Sequence, residues 1–202
     1  AAVDLMGEVP YRRYVFISIG PGGGGLEHWN SQLITFDAER MADPAQYSRT
    51  LRFIAHEYFH LFNVKRIRPA ALGPFDYDRE NLTRMLWFSE GATVYYEDLL
   101  LVRIGFFTPE EYLRRLSSGL SSYETSPGRR FQSPAEASFD SWFGYFDRSE
   151  HLRNTTVSPY DAGLAVSFLL DLEIRHATEN RRSLDDVMRA LYRTYAKEKG
   201  RG

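Results

Sequence analysis

Cysteine is absent from the 202 residues, which excludes disulfides and thiolate metal ligands and leaves the redox compartment open. No apolar run approaches the roughly 18 residues that a membrane-spanning helix needs. Neither sign of charge dominates. The 25 Lys and Arg against 27 Asp and Glu leave a net charge of −2, so nothing electrostatic favours nucleic acid or an anionic membrane as partner. No internal repeat divides the chain, and no leader opens it. Ala1 reads as lying inside a domain, so any signal peptide is expected upstream, and the compartment stays open between bacterial periplasm and cytoplasm. What is present is 43% hydrophobic and 15% aromatic, a composition for one folded domain with a sizeable core. The oligomeric state is not readable.

The most informative stretch is His56-Glu57-Tyr58-Phe59-His60. On a helix, residues four apart lie one above the other, so both imidazoles can face one metal ion. Glu57 then stands beside whatever water that metal holds. Zinc suits the set: a catalytic site typically uses three protein ligands and keeps a fourth position open. The motif is embedded among Leu51, Phe53, Ile54, Ala55, Leu61, Phe62 and Val64. Two histidines and a glutamate buried there would be costly unless paired or metal-bound. One Zn2+ per chain is the expected cofactor.

A third ligand is needed, and Glu90 is the natural choice. It lies in Trp87-Phe88-Ser89-Glu90-Gly91, at the head of a second apolar helical stretch, and with the imidazoles it completes a His2Glu set. Glu97, seven residues on, returns to the same helical face. It could accept a hydrogen bond from the outer nitrogen of a ligand histidine or be a solvated helix residue; the period alone does not choose. His28 is expected to line the site without binding metal. His151 and His176 have no partner at ligand spacing. Lys65, Arg66 and Arg68 read as a solvated helix end rather than a carboxylate clamp.

These motifs together resemble the gluzincin metallopeptidases, and within them the glycyl aminopeptidase family, whose catalytic domain usually accompanies a PDZ domain. Three further stretches carry the likeness: Gly22-Gly23-Gly24-Gly25-Leu26-Glu27-His28, His60 through Pro69, and Pro159-Tyr160-Asp161-Ala162-Gly163. Ala162 departs from it, standing where a lysine is common. The resemblance implies a thermolysin-like α+β fold, mainly helical, with a small N-terminal β part. Residues 1–202 would be a single metallopeptidase catalytic domain, a fragment flanked in the full chain by an N-terminal β domain and a C-terminal PDZ domain. The implied activity is a zinc aminopeptidase that removes glycine or another small residue from a peptide with a free N-terminus. By the same resemblance Tyr160 would stabilise the oxyanion. Glu27 would bind the substrate's amino group, with Gly24 and Gly25 lining its path. A thermolysin-like endopeptidase and an inactive peptide-binding module remain alternatives.

The coarse organisation is a β part followed by helices. Strands are expected at 14–19 and 31–36 around a glycine loop, with the second strand offering its edge to the substrate backbone. Asp43-Pro44 should cap and start the metal-binding helix, followed by a connector over 65–82. A helix carrying Glu90 should run to about 104, and Thr108-Pro109-Glu110-Glu111 should start another, through about 122. Residues 124–158 read as a long loop with a short helix after Ser133. Helices over 160–176 and 184–198 are expected to finish the chain, the latter capped by Ser183.

Overall fold

Helix starts are written into the sequence by capping residues, and the computed structural model, which describes residues 1–144 and 150–198, follows them. Asp43 accepts a hydrogen bond from the Ala45 amide and Pro44 fills the first position of α2, Pro44–Phe59. Thr108 and Glu111 form a capping box at the start of α4, Pro109–Thr125. Ser133 with Glu136 does the same for α5, Pro134–Phe139, and Ser183 with Asp186 for α9, Leu184–Leu191. Each such pair satisfies two amides that the helix itself cannot. Between these lie α3, Ala92–Arg103, the short α6, Ser141–Gly144, and α7, Leu152–Thr155, and α8, Pro159–Ala177. A short helix α1, Ala2–Met6, unforeseen from the sequence, packs on α9. The last expected helix is divided: after Leu191 the backbone loosens into π-helical turns over Tyr192–Glu198.

The β part differs from expectation in an instructive way. Strands β1, Val15–Ile19, and β3, Ser31–Thr35, lie where the alternation put them, but the glycine stretch is itself a strand, β2, Gly24–Glu27. The order is β1-β3-β2, with β1 parallel and β2 antiparallel to β3. Both edges of β3 are therefore taken, and β3 cannot receive a substrate backbone. The exposed edge nearest the helices belongs to β2. Glycine's poor strand propensity hid this strand.

Packing the helices around Phe59, Phe62, Tyr96, Leu164, Leu184 and Met188 builds the core. The element bearing Glu90 is held between α3 and α8, and α2 lies across α3 with β2 and β3 over its other side. The 124–158 segment packs as short helices behind the Glu90 element, where the Trp87 amide donates to Ser138 Oγ at 2.9 Å; its residues 145–149 lie outside the described residues. No helix among the described residues is long and apolar enough to cross a membrane.

Candidate active site

The His-Glu-x-x-His stretch forms the last turn of α2, with His60 as its C-terminal cap. His56, Glu57 and His60 are all buried. Glu90 arrives from a π-helical turn, Trp87–Gly91, that leads into α3. Such a turn inserts a residue into the helical register and re-aims side chains, which is why π-turns recur at functional sites. Asn63 fixes the two elements together: its Nδ2 donates to the carbonyls of Phe88 and Ser89 and to Thr93 Oγ1, at 3.1 to 3.2 Å.

Three lone-pair atoms converge. His56 Nε2 lies 3.0 Å from His60 Nε2 and 3.3 Å from Glu90 Oε2, and His60 Nε2 lies 3.2 Å from the same oxygen. The outer nitrogen of each ring faces an acceptor. His56 Nδ1 donates to Glu97 Oε2 at 2.8 Å, and His60 Nδ1 to the Asn63 carbonyl at 2.6 Å. These acceptors hold the ring protons on Nδ1 and leave Nε2 with a bare lone pair in the neutral imidazole. Two such nitrogens and a carboxylate oxygen at van der Waals distance repel one another unless positive charge lies among them. The electrostatics agree. Burial alone would push His56 down, but its hydrogen bonds to Glu90 and Glu97 hold it up to about 10. Burial would raise Glu90, yet the two imidazoles force it well below the usual carboxylate range. These three residues could hold a metal ion, in competition with a proton.

Glu97, buried beside Asp98, is more than a partner for His56. Arg52 binds Glu97 Oε1 at 2.6 Å and Asp98 Oδ1 at 2.5 Å, so one guanidinium bridges the two neighbouring carboxylates beneath His56. Sequence reading overlooked Arg52, although it lies one helical turn before His56 and so on the same face.

Glu57 stands apart from the Arg52 network, within 4.8 Å of His60. Burial, partly offset by His60 and His56 and reinforced by Glu27 and Glu90, pushes its carboxyl up to about 7. Its Oε2 is buried and finds no hydrogen-bond partner among the described residues. Strand β2 closes over it. A Cβ placed on Gly25 would meet Glu57 Oε1 at 2.5 Å and Phe53 Cζ at 2.6 Å, whereas one on Gly24 would find only Thr35 Oγ1, at 3.8 Å. Gly25 is thus the glycine that the site requires.

At the end of β2, a Glu27 oxygen lies within 4.8 Å of Glu57 and of His60. Lys65 pairs with Glu27 at 3.1 Å. The basic cluster is therefore not a solvated helix end. Arg66 is buried, donating to the carbonyls of Pro10, Trp29 and Leu61, and Arg68 lies over the Phe75 ring. Tyr160, in the first turn of α8, stacks on His56 with ring centroids 6.5 Å apart. His28, the residue after Glu27, is exposed.

A family model described as M61 glycyl aminopeptidase matches residues 49–166, more than half of the chain. The chain belongs to that family. The M61 match takes in His56, Glu57, His60, Glu90, Glu97 and Tyr160, while Gly24, Gly25 and Glu27 lie before it. The structure is also similar to the crystal structure of an aminopeptidase N family protein from Idiomarina loihiensis, with 32% identity and a TM-score of 0.90. That likeness covers 100% of this chain and 35% of the other, so the chain spans about a third of its length. No curated protein matches the chain.

Proposed function

We propose that this M61 chain is a zinc-dependent aminopeptidase that hydrolyses the first peptide bond of a substrate with a free N-terminus. The observation that carries the reading is the convergence of His56, His60 and Glu90 on one point, with Glu57 beside it, its Oε2 buried and without a hydrogen-bond partner among the described residues. The donor set suits zinc. Two neutral imidazoles and a carboxylate are a usual catalytic combination, and their mutual spacing is near the roughly 3.3 Å expected between ligands about 2.0 Å from a tetrahedral ion. Zinc bound there would supply Lewis acidity at neutral pH.

The remaining work falls to side chains of this chain. Glu57 accepts the proton of the attacking water and returns it to the leaving amine, a task for which a carboxyl near neutrality is suited. The Tyr160 hydroxyl donates to the developing oxyanion, a contribution typically worth about 3 kcal/mol. Glu27 binds the substrate's ammonium group, with Lys65 holding its carboxylate in place. The edge of β2, beside Gly24 and Gly25, aligns the substrate backbone as an added strand. Close approach of β2 to the site supports a small first residue, glycine or alanine, as the preferred one.

The test is hydrolysis of glycyl and alanyl p-nitroanilides against their N-acetylated counterparts, with zinc measured on the same sample. The reading predicts cleavage of free-amine substrates alone, with about one zinc per chain. Equal cleavage of acetylated substrates would make the chain an endopeptidase. Binding of peptide and zinc without cleavage would make it a binding module.

A further inference from the structure

Beside the site lies a cavity of about 330 Å³, lined among others by Gly22, Gly23, Phe36, Arg49, Phe53 and Glu97. It shares two wall residues with the candidate active site. Phe53 is the ring against which Gly25 packs, and Glu97 is the acceptor for His56. The direction of β2 decides what reaches it. Glu27 stands at one end of the strand and Gly22–Gly23 just before the other, with Gly25 and Glu57 between them. A peptide with its amine at Glu27 and its first peptide bond at Glu57 must therefore run on toward Gly23. From Gly25, beside Glu57 and the first peptide bond, two positions lead to Gly23, so at roughly 3.3 Å per extended residue the second or third residue lies over the cavity.

The charges around the cavity are unequal in use. Arg52 is engaged by Glu97 and Asp98, and Glu97 by Arg52 and His56. Arg49, one helical turn before Phe53, has no ion pair among the described residues. Among the described residues it is the lining cation without a carboxylate partner, since the other two charged lining residues, Arg52 and Glu97, pair with each other. A guanidinium matches a carboxylate by two parallel hydrogen bonds.

We propose that this cavity receives the second or third residue of the peptide and that Arg49 selects a carboxylate there, from an acidic side chain or from the C-terminus of a short peptide. The assignment rests on the aminopeptidase reading, in which Glu27 holds the amine. Arg49 is exposed, so the preference should be modest and sensitive to salt.

The experiment compares kcat/KM of the zinc-loaded chain on amidated tripeptides beginning with alanine, carrying glutamate or glutamine at the second or third place, and on trialanine with a free or amidated C-terminus. These arms separate the side-chain source from the terminal one. The carboxylate form should be favoured roughly fivefold in at least one arm at low salt, and less at high salt. Arg49→Gln should bring that ratio to about one and Arg49→Glu should invert it. Equal rates for acid and amide, or a preference that survives Arg49→Gln, would overturn the proposal. Peptide affinities measured on Glu57→Gln, alone and combined with Arg49→Gln, give the same comparison without turnover. If free-amine peptides are not cleaved yet the acidic ones still bind tighter through Arg49, the aminopeptidase reading fails and the cavity assignment stands.

Discussion

Glu57 and Gly25 show how far single residues carry the reading. Replacing Glu57 by Gln keeps shape and hydrogen-bonding groups but removes the proton acceptor. Turnover should fall by about 100-fold or more while zinc content is unchanged; loss of zinc would mean that Glu57 is a ligand. The two glycines make a sharper pair. Gly25→Ala drives a methyl into Glu57 Oε1 and Phe53, both movable side-chain ends. The fold should persist while displacement of the Glu57 carboxylate costs about 100-fold in kcat. Gly24→Ala meets nothing closer than 3.8 Å, and its rate should stay close to the parent's. Kinetics and melting curves of the two variants check both statements. Position 24 and position 25 look identical in the sequence; only the element that packs over one of them makes them different.

The π-helical turn that presents Glu90 is kept in place by backbone contact. Gly91 and Gly163 face each other so closely that a Cβ on Gly163 would lie 1.9 Å from the Trp87 carbonyl, and one on Gly91 would lie 2.3 Å from the Gly163 Cα. Nothing at the end of a flexible chain can yield here. Gly163→Ala should therefore push the turn away from α8, lowering stability by about 2 kcal/mol or more and weakening zinc binding, as denaturant midpoints and zinc titration would show. The Gly in Tyr160-Asp161-Ala162-Gly163 was visible as part of a motif, but its function as a contact surface for another element was not. Ala162 beside it is fully buried, which leaves no room for the lysine that the resemblance offers at that position. Capping, by contrast, is local chemistry, and the starts of α2, α4, α5 and α9 were legible for that reason.

Across the whole molecule, Asp171 joins three helices. Its carboxylate accepts the Tyr95 hydroxyl from α3 and Arg175 Nε on its own helix, both at 2.8 Å, and the Leu184 amide that opens α9, at 2.6 Å. Burial would raise its pKa, but the hydrogen bonds from Arg175, Leu184 and Tyr95 prevail and hold it below the usual aspartate value. A group with a depressed native pKa contributes stability above its unfolded pKa and loses it as the pH falls through the native one. Asp171→Asn should cost about 2 kcal/mol at neutral pH. The gap to the parent should narrow once the solution is acid enough to protonate the native carboxyl. Urea denaturation across the acid range measures it; a gap independent of pH would mean that packing rather than charge is lost.

Spacing of four residues on a helix, helix-capping chemistry and alternation in β1 and β3 act over a few residues, and so the His56, Glu57 and His60 triplet, Glu90 and most helix starts could be read directly from the chain. Glu97, Arg52 and Lys65 could not, because their partners lie between 38 and 46 residues away along the chain and a solvated and a buried charge look alike in one dimension. The strand made of glycines was hidden because its stability comes from β3 beside it and not from its own side chains. Which face Gly25 presents, what Arg52 neutralises and where the cavity beside Arg49 opens are decided when α2, α3, α8 and the sheet come together, since each depends on distances between elements that no local propensity encodes.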